Sequence, residues 1–356
     1  MARPLVARID SAALTHNLAV ARKAAPRSKT FAVIKANGYG HGLLRVARAL
    51  RASDAFAVLS IEEAALLRGE GYTHPIMLLE GFFHADELAD IARLRLRPVI
   101  HREDQAETLA RNRLEHKVDV LVKLDTGMHR LGLAPKRLAD VLATLRGAAH
   151  VGGITLMTHF ARADDDADSV AAQLEAFRSA TLDLKLPVSL AASAALMRYP
   201  ETHGDWVRPG IMLYGASPFA EQDGDDLGLL PAMTLESQLI ATQFVRKGEG
   251  VGYGATFVAD RDMRVGVVAC GYADGYPRHA GTGTPILVGG HPTRTLGRVS
   301  MDMLCADLSE VPGAHVGSPV VLWGAGLPAE RVAAAAGTIA YELFTALAPR
   351  VRIEDV

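Results

Sequence analysis

Only eight of the 356 residues are lysine, and one of them, Lys35, closes the apolar run FAVIK just before the glycine-rich stretch ANGYGHG. An amine at the mouth of a buried strand costs free energy unless it is paired, made neutral or used covalently. Desolvation lowers a lysine pKa, and a neutral amine is a nucleophile able to form a Schiff base. The plainer reading is a strand-end lysine that snorkels to water.

Other apolar runs also finish in residues that carry charge or donate hydrogen bonds. Lys123 and Asp125 end VDVLVKLD, with Arg130 just beyond in TGMHRLG; His159 ends GITLMTH, Ser193 follows PVSLA, and Arg208 ends DWVR. A serine hydroxyl with the exposed N–H groups of the Pro209, Gly210, Ile211 turn can cradle a phosphate without a lysine. No Walker A sequence is present and GYGHG lacks the GxGxxG spacing, so a nucleotide is not implied. A phosphate cradle facing an isolated lysine points to pyridoxal phosphate.

The elements that must hold these residues alternate in texture. Eight β-type runs (31–35, 56–60, 76–80, 98–101, 118–125, 153–159, 187–191 and 205–208) are mostly separated by stretches of helical spacing. Parallel strands covered by helices on both faces predict an N-terminal (β/α)8 TIM-type barrel, whose chemistry sits at the carboxyl ends of the strands; an open doubly wound sheet is the alternative. After about residue 225, strands follow one another through Gly and Pro turns, which predicts a mostly antiparallel C-terminal β-domain closed by helices at 328–336 and 339–347. The expected division is 1–224 and 225–356.

Composition narrows the function. A formal net charge of −2 favours neither nucleic acid nor an anionic membrane. No apolar stretch reaches a membrane span and the N-terminus has no apolar signal core, so a cytoplasmic protein is expected. Cys270 and Cys305 read as buried free thiols. Asp164, Asp166, Asp168 and Glu175 have the spacing of a calcium loop, but Ser169 stands where that loop needs glycine and a helical pattern follows. Acids at a helix N-terminus explain them better, and no structural metal is expected. Taken singly, His159 reads as a core histidine, Tyr253 as a turn aromatic and Arg208 as a salt-bridge partner.

Together the residues are more specific. AVIKANGYGHG resembles the cofactor-lysine motif of the alanine racemases. The likeness continues through KLDTGMHRLG, THFARAD, VRPGIMLYG, GYGATF, GYADGYPR and GRVSMDM, seven ordered motifs across both expected domains. The resemblance implies a racemase of alanine, or of another small amino acid such as serine, working as a head-to-tail homodimer with pyridoxal phosphate. A non-enzymatic pyridoxal-phosphate carrier would share the barrel but lack the β-domain. A barrel-type decarboxylase would want an acid where Arg208 stands.

By that resemblance Lys35 binds the cofactor covalently and is one catalytic base, and Tyr253, from the partner subunit, is the other. Two bases on opposite faces solve a simple problem: one rigid side chain cannot serve both faces of Cα. A phenol needs help to act as a base near neutrality, and the residue matching His159 links that tyrosine to Arg208. Arg208 faces the pyridine nitrogen, to which a guanidinium donates a hydrogen bond without handing over its proton. Tyr39, Ser193, Gly210 and Ile211 match phosphate ligands. Arg130 and the backbone of Met301 match substrate-carboxylate contacts. Lys123 matches a lysine often carbamylated in the family, and Asp164, Tyr272, Arg278 and Arg298 match the substrate path. Two positions depart from the family: Pro349 stands where some members carry a phosphate-contacting tyrosine, and Ala192 where asparagine is common.

Overall fold

The computed structural model describes residues 3–356, and its first strand, β1 (Val6–Ile9), is not part of the barrel that follows. The barrel strands are β2 (Lys29–Val33), β3 (Ala55–Val58), β4 (Ile76–Leu78), β5 (Leu96–Ile100), β6 (Val118–Lys123), β7 (Val151–Met157), β8 (Val188–Ala192) and β9 (Trp206–Arg208). Each pairs in parallel with the next and β9 returns to β2, closing the barrel. These are the eight runs read from the sequence, with their ends shifted by a few residues. All four residues of β3 and all three of β4 are buried, as an all-parallel sheet covered by helices requires. Phe56, Val58, Ile76, Met77 and Leu78 each contribute about 1.5–3 kcal/mol through removal from water, the alanines less.

The helix Ala167–Thr181 begins at Asp166, whose side chain accepts from Ser169 N at 3.0 Å. Asp166 also pairs with Arg162 at 2.5 Å. The acidic run is therefore a helix start, in line with the reading against a calcium loop.

The remaining strands are β10 (Met233–Val245), β11 (Gly250–Val251), β12 (Phe257–Val258), β13 (Met263–Val268), β14 (Pro285–Val288), β15 (His291–Leu296), β16 (Leu304–Asp307), β17 (Pro319–Trp323) and β18 (Arg352–Asp355). Eight strands form one sheet in the order β13-β16-β15-β14-β17-β10-β1-β18, and only β1 and β18 are parallel neighbours. A register shift between Leu239 and Ala241 lets the long β10 also pair with β13.

The two compact units do not divide at 224. One comprises residues 3–16, 39–41 and 214–356; the other comprises 17–38 and 42–213. These units differ from the expected division at both ends. β1 is a four-residue strand that pairs with β10, its residues opposite partners from Met233 to Glu236 that no local pattern reveals. Residues 214–224 join the β-unit because Glu330 accepts from Ser217 N at 2.6 Å and Gly224 N at 2.9 Å, and Ala232 N donates to Tyr214 O.

Candidate active site

Lys35 lies two residues beyond the end of β2, and the backbone that follows it is unusual. Ala36, Asn37, Gly38 and Tyr39 all have positive φ, between 49° and 62°, a full turn of left-handed helix. This conformation costs roughly 1–2 kcal/mol for each non-glycine residue. Gly38 is doubly required: its φ is +62° and a Cβ there would lie 2.8 Å from Val46 Cγ2.

Neighbouring groups hold the turn. Gly38 N donates to Ile34 O, and Leu43 N to the Asn37 side chain at 2.9 Å. Glu63 clasps it from the next strand end, accepting from Asn37 N at 3.2 Å and from Leu59 N at 2.9 Å. Sequence reasoning missed Glu63, although Ser60-x-x-Glu63 has the signature of a helix capping box and Ser60 does cap that helix. Lys35 is half-buried, and its pKa falls below the usual lysine value because of burial and then Arg130, with Glu80 and Glu63 opposing.

Lys123, at the end of β6, is buried and donates to Leu131 O at 2.5 Å. Burial, then the charges of Arg208 and Arg130, push its pKa down to about 8. Asp125 does not neutralise it by contact. Its Oδ1 instead accepts from the backbone N–H groups of Gly127, Met128 and His129, at 3.0 to 3.1 Å. Burial alone would raise the Asp125 pKa, but the N–H groups and the His129 ring outweigh it and hold it low. Arg130 stands exposed in the same loop.

Arg208, which ends β9, is 3% exposed and has no acid beside it among the described residues. Its Nη1 donates to Ser189 O at 2.7 Å and Ser189 Oγ at 2.8 Å; its Nη2 donates to Thr158 O at 2.8 Å and Leu190 O at 3.0 Å. Burial lowers its pKa to about 10, so it stays charged at neutral pH. His159 Nδ1 lies 3.4 Å from Arg208 Nη2. Burial, then Arg208, Arg130, Lys123 and Lys35, push the imidazole down to about 3. With Nδ1 facing a donor, the neutral ring carries its proton on Nε2.

Ser193 is buried at the start of the short helix after β8, and its Oγ accepts from Gly210 N at 2.9 Å. Ile211 is also buried, and among the described residues no acceptor outside its own short helix is found for its N–H. An orphaned buried donor beside a serine hydroxyl is the arrangement an anionic oxygen completes. Lys35, Lys123, Arg130 and Arg208 meet this rim, with Glu63 and Glu80 acting on Lys35 and Asp125 tied to backbone, so the site fits an anionic ligand.

The β-unit carries the other sequence candidates. Tyr39 is buried, with its ring stacked 4.5 Å from Tyr214 and 5.9 Å from Tyr341. Burial, then Tyr341, raises its pKa, so the hydroxyl remains a donor. Tyr341 went unread in the sequence, and Pro349 is exposed. Tyr253 is 72% exposed, in a turn between Gly252 and Gly254, both with φ of 72°.

Tyr272 N donates to Ser300 O and Ala273 N to Met301 O, both at 3.0 Å, which ties two motif loops together. Gly271 permits that approach, since a Cβ would sit 2.3 Å from Ser300 O. Asp274 anchors the loop from below, accepting from Gly271 N at 2.8 Å and pairing with Arg3 and Arg350. Arg278, Arg298 and Met301 are exposed, and so, in the barrel unit, is Asp164. The structure thus gathers Lys35, Lys123, Arg130, His159, Ser193, Arg208, Gly210 and Ile211 in one unit, with Tyr39, Tyr253, Tyr272, Arg278, Arg298 and Met301 in the other.

Comparison with known proteins agrees with this geometry. Family models for the alanine racemase N-terminal and C-terminal domains match residues 9–218 and 232–354. The chain is 61% identical to an alanine racemase of Thiobacillus denitrificans, covering 99% of this chain and 96% of that one. Its fold superposes on the crystal structure of a biosynthetic alanine racemase from Pseudomonas aeruginosa with a TM-score of 0.97, at 49% identity and 99% coverage of both chains. An alanine racemase from Bartonella henselae, solved with covalently bound pyridoxal phosphate, matches with a TM-score of 0.90 at 29% identity and 99% coverage of both.

Proposed function

The chain belongs to the alanine racemase family, and from that premise we propose that it interconverts L- and D-alanine with pyridoxal phosphate, using Lys35 and Tyr253 as its two proton-handling residues. When bound, the cofactor supplies an electron sink for the pair left behind on the substrate Cα. Lys35 would hold it covalently, Ser193, Gly210, Ile211 and Tyr39 would take its phosphate, and Arg208 would face its ring nitrogen. The N–H of Ile211 beside Ser193 and the buried Arg208 support that assignment.

The neutral Lys35 amine, favoured by its lowered pKa, takes the proton from one face of Cα, and the Tyr253 hydroxyl delivers one to the other. Lys35 then ends as the ammonium and Tyr253 as the phenolate; the reverse turnover starts from that pair. His159 has its Nε2 proton to donate to a phenolate oxygen, which lowers the cost of making one. In the homodimer we propose, Tyr253 comes from the partner subunit, as do the Met301 N–H for the substrate carboxylate and Tyr272, Arg278 and Arg298 along its path. Arg130 would meet the same carboxylate, and Asp164 lies at the outer end of that path.

Lys123, with a pKa of about 8, has enough neutral amine to add carbon dioxide. The N–C bond forms as the amine proton leaves to water, and the resulting carbamate is an anion beside Arg130. Loss of a bicarbonate-derived carbon-13 signal in Lys123→Ala, but not in wild type, tests this; no signal in wild type removes it.

The single observation that carries the functional reading is Arg208, buried and held by carbonyls with no acid in reach among the described residues. A permanent cation there donates to the ring nitrogen without protonating it, which suits reversible proton exchange better than decarboxylation. Circular dichroism of L-alanine incubated with the holoenzyme tests it. Decay to zero is the expected result, and a steady signal overturns the reading.

A further inference from the structure

We propose that a cleft at the N-terminal ends of the barrel strands, opposite the rim that holds Lys35, binds a small phosphate-bearing anion. The cleft has a volume of about 700 Å3 and lies where β4, β5 and β6 begin. Its walls carry Arg68, Arg93, Arg95, Arg97, His116 and Lys117, against a single acid, Asp119.

The floor is Arg68, from the last turn of the helix Ile61–Gly69. It donates to Leu94 O at 2.8 Å, Tyr72 O at 2.6 Å, His74 O at 2.9 Å and Arg95 O at 3.4 Å. Those are carbonyls, so its hydrogen bonds are made while its charge is not neutralised. Burial and then the adjacent Arg95 both lower its pKa, the mark of a cation short of counter-charge. Arg95 itself sits at φ 52°, a left-handed conformation rare for a long side chain.

Arg97 pairs with Asp119 at 3.0 Å, and Arg93 with Asp90. Among the described residues, Arg95, Lys117 and His116 have no acidic partner, and all three are exposed at the mouth. A chain of net charge −2 has thus gathered basic side chains in one concavity and left part of them without an acidic partner among the described residues. Such a concavity focuses field on a small anion, and guanidinium forks match phosphate oxygens. A nucleic acid would need a track of cations, and these are confined to one cleft.

The test titrates inorganic pyrophosphate into the holoenzyme, whose phosphate cradle at the rim is already filled by the cofactor. One saturable site per subunit is expected by calorimetry, unaffected by acetate at equal ionic strength. Arg95→Gly suits the left-handed backbone and so folds; combined with Lys117→Gln it is expected to weaken binding at least tenfold while racemisation without pyrophosphate is unchanged. The double variant binding as wild type does, binding that acetate suppresses equally, or no saturable binding would each overturn the proposal.

Discussion

At the barrel rim Arg208 is 3% exposed and Lys123 6%, with donors committed to carbonyls, whereas in the β-unit Tyr253 is 72% exposed and Met301 53%. The rim meets the cost of its buried charges within the chain, through hydrogen bonds and displaced pKa values. The β-unit loops leave a phenol ring and a thioether uncovered, while their backbones are held by turn geometry, by the links of Tyr272 to Ser300 and Ala273 to Met301, and by Asp274. One half of the machinery has its buried donors satisfied within its own chain. The other is shaped to be presented to a further surface, and the homodimer proposed above supplies that surface.

The largest effect is expected at the rim. Lys35→Ala should cost at least about 10^3-fold in both directions of racemisation and remove the visible absorption band of the bound cofactor. Retention of the band would take Lys35 out of its role. Tyr253→Phe is the matching change in the exposed half and should keep the band. It should cost roughly 10^2–10^4-fold, with exchange of the Cα proton surviving from one enantiomer only. Mixing the two variants sharpens the comparison. If Tyr253 serves the partner subunit, mixed dimers contain one intact site, and random reassortment should restore about a quarter of wild-type activity. No recovery in dimers shown to be mixed would place both bases in one chain.

The two halves were also unequally legible in the sequence. All eight barrel strands could be read because parallel strands are short apolar runs with helices between them, a local signal. β1 could not, since its partners are β10 and β18, hundreds of residues away. Rim residues such as Lys123 and Arg208 stood out as charges at the ends of apolar runs. Tyr253 and Met301 carried no such mark and were found through the family likeness alone. Glu63 and Asp274 were missed for a related reason. Each acts by accepting backbone N–H groups, and such a role depends on loop geometry rather than residue type.

Glu63 offers a test of how much of the rim's hydrogen bonding serves catalysis. Its carboxylate reaches both the strand end at Leu59 and the left-handed turn beyond Lys35. Glu63→Gln keeps one good acceptor and much of the shape. It should lower kcat roughly tenfold with KM little changed, because a misplaced base affects the transition state more than binding. Glu63→Ala should add a fall of about 2–4 °C in Tm. A lower Tm with an unchanged kcat would make Glu63 a helix cap and nothing more.

The smallest effect concerns stability and again separates the halves. His159 has a folded pKa of about 3, against about 6.5 for an unfolded histidine. Between those values the unfolded chain binds the extra proton and the folded chain does not. The contribution of His159 is therefore present in full above pH 6.5 and is lost as pH falls toward 3. Protonation would add a fifth cation beside Arg208, Arg130, Lys123 and Lys35, which is why the folded state resists it. His159→Gln removes the titration and keeps an acceptor for Arg208. Its Tm should fall less steeply than that of wild type between pH 6.5 and 4.5, with the two curves parallel above pH 7. The same comparison on Tyr253→Phe should show no difference in slope. Equal slopes for His159→Gln and wild type would mean that the imidazole is open enough to take its proton in the folded state, and the rim would then be less sealed than its hydrogen bonds imply.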